Sequence, residues 1–290
     1  MHNILGVWSL VSWVHVISVG TSILSNYVRD NDVQARRLGI SGWGSLSFDH
    51  PDQDRALASA ARGTPVFNAL YEYVLSNPRR ASAELNAFFR AVSLFNHSPP
   101  EEVGVYLFSS DTGTGYLCAS IALAILRDQR YHTLVRDPVK ITGLGRNLLS
   151  FEDSLTDLIE KVVIKIVEWS KKGIKVYLNL TGGFKPESAY LLLAGALAGA
   201  RRAYYIHETF NDVVSLPLPK LTIDQKLANL IRKLENPYQT FNITELEELL
   251  RNEELDLNDL RDRGIIQERA PAFRKYVVKL IKELAKSDSE

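Results

Sequence analysis

Short apolar, β-branched runs alternate with longer stretches in which apolar positions recur every three or four residues. His15–Gly20, Val103–Ser109, Gly173–Leu180, Ala203–His207 and Val213–Leu216 read as strands, and Thr133–Thr142 as a weaker one split by Asp137-Pro138. Between them Val66–Leu75, Ala81–Phe95, Gly115–Arg127, Leu155–Lys171 and Glu187–Ala200 carry the spacing of amphipathic helices. Strand–helix alternation with polar, glycine-bearing turns after the strands predicts an α/β fold with a mostly parallel sheet covered on both faces. In such sheets a ligand crevice lies beyond the carboxyl ends of the strands. That rule singles out three turns: Thr21–Ser22, Ser109–Gly115 and Asn179–Lys185.

After Pro217-Leu218-Pro219 the pattern changes, so residues 14–219 are read as one domain and 220–290 as a second. The second shows Ile223–Leu234, Thr244–Arg251 and Leu255–Arg263 as short helices, an extended pair around Gly264–Arg269, and a last helix over Ala272–Leu284. Thr244 followed by Glu247 has the spacing of a capping box. The order predicts a small winged helix-turn-helix, for which DNA is the obvious partner. Charge argues against it. From Leu221 to Glu290 there are 12 Lys and Arg against 14 Asp and Glu, and Glu253, Glu254, Asp256, Asp259 and Asp262 crowd the would-be reading helix. Phosphate neutralisation supplies most of DNA affinity, so packing or dimerisation is the expected role of this tail.

At the other end, Met1–Val11 fits no element, and residues 1–13 are read as an extension ahead of the first domain. No Lys, Arg, Asp or Glu occurs from Asn3 to Val28. Ser9, Ser12, His15, Ser18, Thr21, Ser22, Ser25 and Asn26 interrupt the run, however, and no basic segment precedes it. A buried strand entering a polar turn and helix fits better than a membrane span or a signal peptide.

Composition narrows the chemistry. Lys plus Arg and Asp plus Glu both total 34, which argues against a generally basic nucleic-acid binder. Cys118 is the only cysteine, so an intrachain disulfide and a zinc site with two Cys ligands are excluded. The six histidines form no H-x-x-x-H pair, and neither a metal nor another cofactor is expected. His15 and His207 lie inside strands and are read as hydrogen-bonded core residues. Gly182-Gly183-Phe184-Lys185 is not a phosphate-binding loop of the Walker type, and Gly113-Thr114-Gly115 lacks the third glycine of a dinucleotide fingerprint. Asp111-Thr112-Gly113 spells an aspartic-protease triplet but opens a helix, and no G-x-S-x-G elbow occurs.

The turn Asn179-Leu180-Thr181-Gly182-Gly183-Phe184-Lys185-Pro186-Glu187 has the make-up of an anion site. Its glycines let the backbone approach a ligand, Pro186 suits a helix's first turn, and Lys185 adds a cation at the helix's positive end. Thr21 and Ser22 offer hydroxyls and amides at the start of another helix.

Asn179-Leu180-Thr181-Gly182-Gly183-Phe184-Lys185 after a strand resembles the signature of CARF domains, Rossmann-like sensors of cyclic oligoadenylates in CRISPR systems. Val19-Gly20-Thr21-Ser22-Ile23-Leu24-Ser25-Asn26 resembles their other phosphate loop. Ser110-Asp111-Thr112-Gly113 and Pro78-Arg79-Arg80-Ala81-Ser82-Ala83-Glu84-Leu85-Asn86 also look like that family. The resemblance covers about Val14 to Leu218, and with the winged-helix tail it is similar to the archaeal ring-nuclease branch, whose members cleave the signal they bind. It implies a cytoplasmic, metal-free homodimer that takes cyclic tetra-adenylate. Ser22 and Lys185 are the implied catalytic residues. Gly20, Thr21, Ser109, Ser110, Asp111, Thr112, Gly113, Arg146, Asn179, Thr181, Gly182, Gly183 and Phe184 are the implied contacts to the ligand. Arg146 is a candidate lid, Asp111 a candidate cap of the helix at Gly113, and Phe184 or Tyr116 a candidate wall for adenine. The CARF–HEPN ribonuclease branch is excluded, because its R-x(4–6)-H motif belongs to a C-terminal domain and no histidine follows His207. A CARF sensor without turnover and a CARF transcription regulator are the alternatives.

Overall fold

The computed structural model describes residues 11–144, 148–183, 185–207 and 212–285, without the side chains of 148 and 149. Its sheet is built on β1 (Trp13–Ser18), the uncharged run near the start of the chain, which sits at the centre and is buried on both faces. Along β1, Val14 and Val16 join one hydrophobic core while Ile17 joins the other, as strand alternation requires.

From β1 the chain turns into α1 (Ser22–Asp30), α2 (Asp32–Leu38), a 3₁₀ turn at Trp43–Ser45, α3 (Asp52–Ala58), α4 (Pro65–Ser76), α5 (Pro78–Ala81) and α6 (Ala83–Leu94). Then follow β2 (Val103–Ser110), α7 (Gly113–Asp128), β3 (His132–Thr133) and β4 (Val139–Ile141). A helical rod comprises α8 (Leu148–Leu158), a π turn at Ile159–Val163 and α9 (Ile164–Lys171). The sheet is completed by β5 (Lys175–Asn179), α10 (Lys185–Leu197), β6 (Arg202–His207) and β7 (Asp212–Pro217).

The strand order is β3-β2-β1-β5-β6-β7, with β4 also paired to β2. Every pairing is parallel except β6 with β7, which closes the edge as an antiparallel hairpin. The fold is α/β and Rossmann-like, with helices on both faces. Asp137-Pro138 does split the weak strand region: β3 and β4 pair with different parts of β2. The predicted helix from Ala81 is interrupted at Ser82, whose backbone is extended and whose hydroxyl accepts from the Leu85 amide, so α6 starts two residues later, at Ala83. In the rod, the Tyr106 hydroxyl donates to the Lys161 carbonyl at 2.6 Å, which satisfies backbone within the π turn.

Beyond the sheet lie α11 (Gln225–Lys233), α12 (Ile243–Asn252), α13 (Leu257–Asp262) and α14 (Lys275–Ala285), around their own apolar cluster. The expected extended pair is reduced to a single antiparallel bridge, Ile266 with Phe273. The predicted capping box is not formed either. Asn242, two residues earlier, caps α12 by accepting from the Thr244 amide at 2.9 Å. The α14 helix also packs on the first domain: Leu280 and Leu284 enter the core beneath α8 to α10, and Arg274 pairs with Glu152. Among the described residues no helix is long and apolar enough to cross a membrane.

Candidate functional site

The carboxyl ends of β1, β2 and β5 open on a cleft of about 770 Å³. All three turns singled out by topology reach it. Ser18–Ser22 follow β1, Ser110, Thr112, Thr114 and Gly115 belong to the β2–α7 turn, and Thr181–Gly183 follow β5. Glu84 of α6, Leu144, and the segment Gly44–Asp49 between α2 and α3 complete the wall.

Glu84 organises the floor. It is 2 % exposed, and its carboxylate accepts from the Gly20 amide at 2.9 Å, the Ser22 hydroxyl at 2.5 Å and the Ser82 hydroxyl at 2.8 Å. Ser22 Oγ in turn accepts from the Ala83 amide at 3.1 Å. The β5–α10 turn lies directly on this arrangement. A Cβ on Gly182 would sit 2.5 Å from Glu84 Oε1 and 2.6 Å from the Ser18 carbonyl, so only glycine fits. Gly183, at φ +92°, occupies backbone space that side chains disfavour.

The helix starts at the cleft differ in what they leave open. The N-terminus of α7 is occupied: Thr112 Oγ1 accepts from the Gly115 amide at 3.2 Å, and Gln53 Oε1 accepts from the Thr114 amide at 3.0 Å. Thr112, not Asp111, therefore caps this helix. At α1 no side-chain cap is formed, although Glu84 places its negative charge beside the same end. The charged residues among those lining the cleft are Asp49 and Glu84, both acidic.

Gly20, Thr21, Ser22, Ser110, Thr112, Thr181, Gly182 and Gly183 are thus brought together. Thr21 Oγ1 donates to the Gly44 carbonyl at 3.0 Å and ties the covering segment to the β1–α1 turn. Thr181 Oγ1 accepts from the Ile206 amide at 3.2 Å. Lys185 opens α10 at the end of the same glycine turn and is exposed, outside the lining. Ser109 is buried behind the cleft, and the Asp111 amide is bonded to the Ile141 carbonyl. Gly113 packs against α3, where a Cβ would meet the Gln53 carbonyl at 1.8 Å. Tyr116 lies elsewhere, with the Lys140 ammonium 4.3 Å from its ring, so it is no wall for this cleft. Arg146 and Phe184 fall outside the described residues.

Asn179 is fully buried and serves the scaffold. Its Oδ1 accepts from the Thr181 amide, its Nδ2 donates to the Glu84 carbonyl, and its side chain also bonds Tyr204. From Tyr204 the chain of polar groups continues to His15 Nδ1 at 2.7 Å and from His15 Nε2 to His97 Nδ1 at 3.0 Å. Burial, reinforced by His97, holds His15 well below the usual histidine range. Burial and the Lys175 charge bring His97 down to about 4. Both imidazoles are neutral structural groups at physiological pH, as expected for His15.

Glu84 and the Gly44–Asp49 segment were not legible as site components. Glu84 stands in the first turn of a helix beside a serine cap, a position where an acidic residue is ordinarily a solvated dipole partner. Only its burial reveals otherwise. Among the described residues no cluster of His, Cys, Asp or Glu could hold a metal ion.

Residues 79–219 match the model of a CRISPR-associated protein family, Cas_APE2256. The matched span runs from α5 to the end of the sheet and holds Glu84, the β2–α7 turn, the glycine turn and Lys185. Over this span, a little under half of its length, the chain is similar to that CRISPR-associated family.

Proposed function

We propose that this protein is a ring nuclease, binding cyclic tetra-adenylate and opening it to linear adenylates that end in a 2′,3′-cyclic phosphate. The observation that carries the reading is the meeting of the β1–α1 turn with the glycine turn of β5–α10, at a contact that only Gly182 permits, in a chain similar to a CRISPR-associated family. A cleft of this size is in the range of small-molecule sites.

The ring has fourfold symmetry containing a twofold axis, so a twofold homodimer would grip it with two identical sets of turns. Asp49 and Glu84 make the cleft interior unfavourable to phosphate. Phosphates therefore belong at the rim, beside Lys185 and the amides of Gly182 and Gly183, and nucleosides belong in the cleft. Each ribose 2′-hydroxyl attacks its own 3′-phosphorus, forming the O2′–P bond while the P–O5′ bond breaks. The nucleophile is supplied by the substrate, so the protein's work is to align the ribose and to stabilise charge on the non-bridging oxygens. Ser22 holds the phosphate or the 2′-hydroxyl, and Lys185 faces the transition-state charge.

Removing a donor to transition-state charge typically costs about 3–4 kcal/mol, a hundredfold or more in rate. Lys185→Ala should therefore slow single-turnover ring opening at least a hundredfold while calorimetry still detects the intact ring bound. Equal loss of binding and cleavage would make Lys185 a binding residue, and an unchanged rate would remove it from the reaction.

A further inference from the structure

The Ser22 hydroxyl proton is already committed. It is donated to Glu84 at 2.5 Å, while the same oxygen accepts from the Ala83 amide at 3.1 Å. A hydroxyl has one proton and two acceptor sites. Towards a ligand in the cleft, then, Ser22 Oγ has acceptor capacity and nothing to donate. A phosphate oxygen, itself an acceptor, finds no partner there, whereas a ribose 2′-hydroxyl does. Of the two roles open to Ser22 in the ring-nuclease reading, the geometry favours the second.

Glu84 has the setting of a proton terminus. It is buried, three hydroxyl or amide donors hold it, and no Lys or Arg pairs with it among the described residues. The groups facing it are Gly20 and Ser22 from the β1–α1 turn, Ser82 ahead of α6, Gly182 from the glycine turn and Cys118 from α7. Cys118 is buried, which above all pushes its thiol up and keeps it neutral; the Glu84 charge acts in the same direction. The other acid of the cleft is Asp49, on the covering segment. A buried carboxylate without a cation is costly unless hydrogen bonds or function retain it.

We propose that Glu84 is the proton acceptor of ring opening, acting through Ser22. This rests on the ring-nuclease reading and deepens it. As O2′ bonds to phosphorus, its proton passes to Ser22 Oγ and the serine proton passes to Glu84 Oε2. The P–O5′ bond breaks and the departing 5′-oxygen takes a proton from solvent. Glu84 then returns its proton to solvent, so atoms and charge balance without a water being consumed. Ser22 touches the reacting hydroxyl; Glu84 is a positioning residue that also receives the proton at one remove.

The test compares the full-length protein with Glu84→Gln and Glu84→Asp. Single-turnover opening of cyclic tetra-adenylate is followed at pH 7, and binding of the non-cleavable all-2′-deoxy ring is measured by calorimetry. Glu84→Gln should open the ring at least about a hundredfold more slowly, the usual scale of a lost proton acceptor. Binding of the deoxy ring should stay within about threefold, and Glu84→Asp should restore part of the rate. A wild-type rate in Glu84→Gln would overturn the relay, as would loss of deoxy-ring binding in step with cleavage. A second measurement needs no variant: with two protons in flight, single-turnover opening by the wild type should slow in deuterium oxide and curve with deuterium fraction. Absence of any solvent isotope effect would overturn the proposal. A wild-type protein that neither binds nor opens the ring would instead remove the ring-nuclease reading itself, and the relay with it.

Discussion

At Gly182 an added Cβ meets the Glu84 carboxylate, the Ser18 carbonyl and the Gly20 amide, all within 2.8 Å. Two of these contacts are backbone, which cannot swing away as a side chain would. Gly182→Ala should therefore push the glycine turn off the β1–α1 turn, costing about 1–3 kcal/mol in stability. It should weaken binding of cyclic tetra-adenylate at least tenfold, read by denaturant titration and calorimetry. Unchanged affinity would show that the ligand does not need the two turns in contact. The buried histidines give a second prediction at this scale. His97 falls from 6.5 to about 4 in the fold, and His15 moves the same way. Unfolding therefore takes up protons as pH drops below about 6.5, and the stability present above that pH is lost between about 6.5 and 4. The slope is about 1.4 kcal/mol per pH unit for each histidine, and His97 alone accounts for about 3 kcal/mol. Urea unfolding at pH 7, 6 and 5 checks it, and a flat stability across that window would contradict the assignment. Gly182 and Gly183 were legible from their place after a strand and both line the cleft, whereas Lys185 is exposed outside that lining. The sequence concealed Glu84, because acids in first helical turns are common and burial is a tertiary fact.

Elements were legible where periodicity was strong. The five main strands and the helices of the sheet domain follow from their apolar spacing, and Asp137-Pro138 does break one strand into two. Less legible was the stretch from Asp32 to Ala58, which folds into α2, the 3₁₀ turn and α3. These pieces are too short to show a period, and they are held by side-chain bonds from distant residues. Trp43 donates to Asp52, and Gln53 joins the Ser47 carbonyl to the Thr114 amide of α7. Thr244 and Glu247 misled for a related reason: Asn242 competes for the same cap and lies two residues nearer the start. Gln53→Ala should remove both the α7 bond and the Ser47 bond at a cost of about 1–3 kcal/mol. Because Ser47 belongs to the cleft-covering segment, ligand affinity should fall with it. A variant that loses stability but keeps full affinity would show that the segment does not contact the ligand.

The tail is joined to the sheet domain through α14. Leu280 and Leu284 pack in the core under α8 to α10, Tyr276 meets Tyr190 edge to face, and Lys279 pairs with Glu160 at 2.8 Å. Two of the helices so contacted, α8 and α10, come shortly after cleft-lining residues in the sequence, Leu144 and Gly183. These contacts give the tail a packing role on the sheet domain. Leu280→Ala should cost about 2–5 kcal/mol and shift one shared unfolding transition, seen by calorimetry. Two separate transitions would mean that the tail is an independent unit. The central claim, that the cleft opens cyclic tetra-adenylate by transesterification, is tested most directly by incubating the purified protein with the labelled ring in EDTA and resolving the products. The account predicts linear adenylates carrying a 2′,3′-cyclic phosphate and a free 5′-hydroxyl. A ring that stays intact under protein in excess would contradict it.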